Sequence, residues 1–308
     1  MPRGRRRPRC YAARPMEVVG PASCYYVSQR LRLHYVDWGN AKAPPLLLVH
    51  GGRDHARSWD RVALALRDRY HVVAPDLRGH GDSAWAVGSN YAIHEFVYDL
   101  AQLVDVVAPD GGPVTAVGHS FGGAILTTYA ASFPDRFAKL VNAEGFGPPP
   151  GLADRMASTP MHEQMRTWIE QMRGLAARAP RRYASIEDAA KRMEQENPSL
   201  SEAQAEHLTV HGVARNEDGT YSWKFDNYFR SFPPRAWSPN AIVELWARVT
   251  CPTLLVRGSD SWAARPDADP RFRAFPNARS VEVAGAGHWV HHDAFDGFVA
   301  AVEDFLAE

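Results

Sequence analysis

Ser120 lies in Gly118-His119-Ser120-Phe121-Gly122, with the apolar run Pro113-Val114-Thr115-Ala116-Val117 before it and a helix-like run from Gly123 to Ser132 after it. A serine at a tight strand-to-helix turn is held in strained backbone geometry. Small residues are then needed two positions to either side, where side chains would collide with neighbouring backbone. Gly118 and Gly122 meet that need. The turn also sets the hydroxyl at a helix N-terminus, whose N–H groups favour the negative charge that develops in acyl transfer. Ser120 is therefore the candidate nucleophile. The competing plain reading is a Gly-Ser turn between a buried strand and a helix.

Such a serine needs a base, an acid that orients the base, and donors for an oxyanion. Thirteen histidines are present, so position has to choose among them. His288 follows the last expected strand on Gly285-Ala286-Gly287-His288-Trp289, a loop from which an imidazole reaches a serine at the carboxyl edge of a sheet. His291 and His292 are expected to face solvent at the start of the final helix. His119 is expected to pack beneath the turn, pointing away from Ser120.

Two further stretches complete the pattern. Pro44-Pro45-Leu46-Leu47-Leu48-Val49 runs into His50-Gly51-Gly52, and His71-Val72-Val73-Ala74 leads into Pro75-Asp76-Leu77-Arg78-Gly79-His80-Gly81-Asp82-Ser83. In this order, with the Ser120 and His288 motifs, the set resembles the α/β-hydrolase superfamily from about Tyr25 to the C-terminus. The resemblance implies a Ser-His-acid triad with two candidates for the acid. In most of that superfamily the acid follows the strand corresponding to Thr253–Arg257, three or four residues beyond a glycine. Here Asp260 stands two residues beyond Gly258, and Ser261 and Trp262 occupy the usual positions. Glu144 closes the preceding strand, Lys139-Leu140-Val141-Asn142-Ala143, where haloalkane dehalogenases and the coelenterazine luciferase resembling them carry a glutamate. Glu144 is preferred and Asp260 retained. Oxyanion donors are expected at the backbone N–H groups of Gly52 and Phe121, with His50 a structural hydrogen-bonding residue and Asp76, Arg78, His80 and Asp82 locking their loop.

The elements that must hold these residues follow from periodicity. Strands at Tyr25–Ser28 and Leu31–Asp37 predict an antiparallel edge. Strands near Leu46, Val72, Val114 and Leu140 alternate with helices near Trp59, His94 and Ala124, which calls for a mainly parallel sheet covered on both faces. Gly145-Phe146-Gly147-Pro148-Pro149-Pro150 breaks the alternation. Helical segments follow at Pro160–Ala179, Ile186–Asn197 and Glu202–Ala214. The core resumes with Asn240–Arg248, a strand at Thr253–Arg257, a helix at Asp269–Phe275, a strand at Ser280–Val283 and a helix at Ala294–Leu306. The expected organisation is an Arg-rich disordered tail over 1–15, an α/β-hydrolase core over 16–145 and 240–308, and an inserted α-helical cap over 146–239. Met16 is an alternative start of the chain.

Composition bounds the partners. Thirty-five basic and thirty-five acidic residues cancel, so net charge suggests neither nucleic acid nor an anionic membrane. Three cysteines without metal-ligand spacing suggest a reducing, cytoplasmic setting. No secretory or membrane-spanning stretch follows the arginines, no metal or cofactor motif is present, and oligomeric state has no clear signal. The expected partner is a small-molecule substrate. Trp262 and Trp289, flanking the acid and base candidates, are expected pocket walls, and Trp168 on a cap helix could face the site. Aromatic walls favour apolar or aromatic groups. The chemistry expected is hydrolysis of a carboxylic ester, or of a lactone, thioester, amide or activated C–C bond, through an acyl-enzyme. A receptor-like relative with slow turnover and a cofactor-free oxygenase or perhydrolase are the alternatives.

Overall fold

The computed structural model describes residues 20–88, 91–147, 150–231, 233, 234 and 239–308. The Arg-rich segment 1–15, Met16, Pro148, Pro149 and Trp237 lie outside the described residues.

Strands β1 (Ala22–Ser28), β2 (Leu31–Asp37), β3 (Pro45–Val49), β4 (His71–Pro75), β5 (Val114–His119) and β6 (Phe137–Ala143) precede a short hairpin, β7 (Val213–Arg215) and β8 (Tyr221–Trp223). Strands β9 (Thr253–Gly258) and β10 (Ala278–Val283) follow. The main sheet runs β1-β2-β4-β3-β5-β6-β9-β10. The pairs β1/β2 and β2/β4 are antiparallel and the rest parallel. The central strands read as unbroken apolar runs because both faces are covered. Leu47, Val49, Val73 and Ala116 belong to one buried cluster, while Leu46, Leu48, Val72 and Val117 belong to the other.

Helices α1 (Asp60–Leu66), α2 (Ile93–Val107) and α3 (Phe121–Ser132) alternate with the strands, and α8 (Pro239–Trp246), α9 (Val290–Asp293) and α10 (Phe295–Ala307) come late in the chain. Between β6 and α8 the described residues form α4 (Pro150–Ser158), α5 (Met161–Ala176), α6 (Ile186–Glu196), α7 (Glu202–Gly212) and the β7/β8 hairpin. Ser201 starts α7 with a capping box, its hydroxyl accepting from Gln204 N while the Gln204 side chain accepts from Ser201 N.

Three expectations change. Asp269–Phe275 forms only a 3₁₀ turn, Pro270–Ala274. The β7/β8 hairpin was not anticipated, because three-residue strands are too short to show alternation. His291 and His292 are not solvent-facing, because Val290–Asp293 forms its own turn of helix, folded inward before α10. His291 is 2% exposed and stacks on Trp59 with ring centroids 4.2 Å apart, and Ser58 Oγ lies 2.8 Å from His292 Nε2.

Candidate active site

Ser120 has φ 50 and ψ −116, off the allowed regions for an L-residue, between the end of β5 and the first residue of α3. The sheet ladder holds it there, Ser120 N donating to Ala143 O at 2.8 Å. The flanking glycines are required by contact. A Cβ at Gly122 would lie 2.4 Å from Val49 O, and one at Gly118 would lie 2.6 Å from Leu126 Cδ1.

Glu144 stands one strand over, also at positive φ, 63. Its N–H extends the ladder to Val256 O at 2.9 Å, and Asn142 clamps the following turn, its Oδ1 accepting from Gly145 N and its Nδ2 donating to Gly145 O. The carboxylate is buried and turned toward β9. Gly258 N donates to Oε1 at 2.7 Å, and Ser261 Oγ donates to Oε2 at 2.5 Å. His288 comes from the loop after β10, which crosses directly over Gly258, where a Cβ would meet Ala286 O at 2.3 Å.

These three side chains form one continuous line. His288 Nδ1 donates to Glu144 Oε2 at 3.0 Å, and Ser120 Oγ donates to His288 Nε2 at 3.0 Å. A carboxylate only accepts, so the Nδ1 proton is fixed by Glu144 and Nε2 presents its lone pair to the serine. Asp260 is not brought into this line. It is exposed and accepts from Ser259 Oγ, because its N–H bonds Ala286 O and holds its turn at the outer rim. The site residues that sequence reasoning missed are Ser261 and Asn142. The signal for Ser261 was a hydroxyl standing at the position where the acid is usual.

Gly52 and Phe121 line the cavity beside Ser120, together with Trp262 and Trp289. A Cβ on neighbouring Gly51 would lie 3.3 Å from Ser120 Cβ, so the Gly51-Gly52 turn passes close to the hydroxyl. Trp262 packs on His288 with ring centroids 4.6 Å apart and is 64% exposed. Trp168 is a correction. It is half-buried on α5 and does not line the cavity, which α5 reaches only through Leu175 at its C-terminal end. The cavity measures 1540 Å³, with walls from α6 and the β8 region as well as the sheet edge.

Around this line lies a group of buried neutral histidines. Leu77 N donates to His50 Nε2 and His50 Nδ1 donates to Gly51 O, and burial with the neighbouring His80 lowers His50 to about 3. His119 Nε2 donates to the carbonyl of His288 at 2.7 Å, and burial holds His119 well below the usual histidine range. Burial likewise lowers His291, and brings His292 to about 3. Opposite, Asp76 accepts from His34, Ala56 N and Asp82 N and so fastens its loop. Arg78 is fully buried against Asp99 and Glu95.

Donor atoms of Asp54, His119 and His291 lie within 4.8 Å of one another, close enough to share a cation. Asp54 is engaged by His55 N, Ser58 Oγ and Trp289 Nε1. Among the described residues no helix is long and apolar enough to cross a membrane.

The family model for the alpha/beta hydrolase fold matches residues 44–295. Haloalkane dehalogenase 2 of Mycobacterium tuberculosis is 30% identical over 288 residues, covering 91% of this chain and 93% of that protein. Lipase LipV of the same organism is 42% identical over 109 residues, which span 35% of this chain and 40% of the lipase. Among solved structures, the thioesterase domain from the curacin biosynthetic pathway superposes with a TM-score of 0.79 at 24% identity, covering 92% of this chain and 99% of that one. An esterase of Mycobacterium tuberculosis superposes with a TM-score of 0.74 at 24% identity, covering 94% and 93%. These likenesses bear on the fold.

Proposed function

The chain belongs to the alpha/beta hydrolase family, and we propose that within it the protein is a serine hydrolase acting on a small-molecule carboxylic ester or related acyl compound. The observation that carries this reading is the unbroken Ser120–His288–Glu144 hydrogen-bonded line opening on a cavity. Ser120 attacks the acyl carbon as His288 Nε2 takes its proton. Glu144 stabilises the resulting imidazolium without itself being protonated. The N–H groups of Gly52 and Phe121 are the assigned donors to the oxyanion, an effect worth about 3 kcal/mol per donor in comparable sites. Collapse of the tetrahedral intermediate expels the alcohol, which leaves with the proton held by His288. Water, activated by the same imidazole, then attacks the acyl-enzyme, restoring Ser120 and releasing the acid.

The similarity to a haloalkane dehalogenase does not extend to the proposed nucleophile. A serine at this turn attacks acyl carbon, whereas the haloalkane dehalogenases use a carboxylate there. The helices between β6 and α8 are assigned as a cap that shapes the cavity.

The test is rapid-mixing hydrolysis of a p-nitrophenyl ester followed by intact-mass analysis of the quenched protein. A burst of nitrophenol with one acyl group added at Ser120 is expected. Turnover with neither burst nor acylation of Ser120, even with a slowly deacylating ester, contradicts the covalent route.

A further inference from the structure

The cavity that opens on Ser120 is lined by six arginines, Arg53, Arg178, Arg181, Arg182, Arg192 and Arg230, and by four carboxylates, Asp54, Glu144, Glu196 and Asp293. The carboxylates are committed. Glu144 holds His288, Asp54 takes three hydrogen bonds, Asp293 accepts from Ser199 Oγ and Gly287 N, and Glu196 pairs with Arg192 at 2.6 Å. Arg182 pairs with Asp218. Among the described residues, Arg53, Arg178, Arg181 and Arg230 make no ion pair.

Of these, Arg53 and Arg230 each follow a residue packed beside the turn of the reacting serine. A Cβ at Gly52 would lie 2.6 Å from Phe229 Cε1, so the Phe229 ring packs against the Gly52 backbone, and Arg53 and Arg230 are the residues that follow Gly52 and Phe229 in the chain. Phe229 in turn packs on Phe121, the residue after Ser120, with ring centroids 5.1 Å apart. Arg53 is two residues from Gly51, which approaches Ser120 directly, and Cα atoms are about 3.8 Å apart along the chain. Arg53 is exposed to the cavity, and partial desolvation followed by the charge of Arg230 lowers its pKa while Glu196 opposes them. Arg53 also holds φ 64, a left-handed conformation that glycine or asparagine adopts at lower cost. A long cationic side chain kept in that conformation, exposed to the same cavity as a second arginine without an ion pair, is accounted for by an anion that both reach.

We propose that Arg53 and Arg230 form an anion-binding subsite beside Ser120, so that the substrate is an acyl compound carrying a carboxylate or phosphate near its scissile bond. This rests on the serine hydrolase reading for its chemistry, but the binding it predicts does not need turnover.

The experiment uses three esters of matched length ending in a neutral methyl group, a carboxylate or a phosphate. Binding to Ser120→Ala protein is measured by calorimetry, and turnover of the same esters is measured with the wild type. At least one anionic ester is expected to bind tenfold or more tightly than the neutral one. That preference should shrink with added salt and vanish in an Arg53→Gln/Arg230→Gln protein of unchanged melting temperature, while surviving in Arg182→Gln. In wild-type turnover it should appear in KM rather than kcat. The larger of the two anionic effects identifies the group. Equal binding of all three esters, no binding of the anionic ones, or a preference that survives the double substitution overturns the subsite. Selective binding without hydrolysis of any ester would leave the subsite standing and sink the hydrolase reading. Equal hydrolysis of all three with no binding preference would do the reverse.

Discussion

The two sides of the cavity are made differently. On the sheet side, β5 is buried at all six of its positions and α3 at nine of twelve. On the other side, α5 has no buried residue in sixteen and α6 only Ala189. The proposed reacting groups stand on the packed side, each held by strand ladders or by side chains such as Asn142 and Ser261. The arginines stand mainly on the other side or at the seam. The contrast teaches that bond chemistry here is assigned to a region that cannot shift without losing core packing. Recognition is assigned to exposed side chains at the seam, Arg53 after β3 and Arg230 after the inserted helices, whose substitution leaves that packing alone.

The sharpest way to break the comparison is on the packed side. Ser120→Ala and His288→Ala should each lower kcat by about 10⁴-fold or more with the fold kept. Glu144→Gln should cost roughly 10³- to 10⁴-fold by removing the carboxylate that fixes the His288 tautomer. Asp260→Asn should change kcat by less than about twofold, since it makes no contact with the imidazole in the described structure. An equal loss in the two acid variants would contradict the assignment of Glu144. Ser261→Ala should lower kcat by about 10- to 100-fold, the worth of one hydrogen bond to a buried carboxylate.

Stability should divide along the same line. Leu126→Ala, fully buried beneath the Ser120 turn, is expected to cost about 2–5 kcal/mol in urea denaturation. Met165→Ala on α5, where the side chain is 41% exposed, is expected to stay within about 0.5 kcal/mol. Comparable losses at both positions would erase the distinction.

The packed side should also be the acid-sensitive one. His50 and His292 are lowered to about 3 and His80 to about 4, and His119 and His291 are lowered as well, burial being the first cause in each case. The unfolded chain therefore takes up protons below about pH 6.5 that the folded chain refuses. Stability is complete above that value and is lost as pH falls towards 3–4, by up to about 1.4 kcal/mol per pH unit for each histidine. Denaturation midpoints at about pH 7.5 and 5.5 should differ accordingly, and a pH-independent midpoint would mean that these imidazoles titrate alike in the folded and unfolded chain.

What the sequence made legible follows the same division. The turn around Ser120 was readable because steric exclusion writes itself as glycine at 118 and 122. The loop of His288 was readable for a related reason, since Gly285 and Gly287 mark a turn straight after the last strand, and Gly285 holds φ 70. The acid was harder. Choosing Glu144 over Asp260 depends on the direction of a side chain across two strands, and no local pattern encodes that direction. The inward fold of Val290–Asp293 was missed because a single four-residue turn of helix is too short to show periodicity, so His291 and His292 read as the solvent-facing entry to the final helix. In the inserted helices periodicity gave the elements and not their facing. Trp168 points elsewhere, and the arginines at the cavity read as an ordinary charged surface until the fold gathered them.

The central claim is that Ser120 is activated through His288 by Glu144, and labelling with a fluorescent fluorophosphonate tests it most directly. Wild-type protein should label rapidly at one site, Ser120→Ala and His288→Ala should not label, and Glu144→Gln should label at least a hundredfold more slowly while Asp260→Asn keeps the wild-type rate. Folded wild-type protein that fails to label, or label that persists in Ser120→Ala, would contradict it.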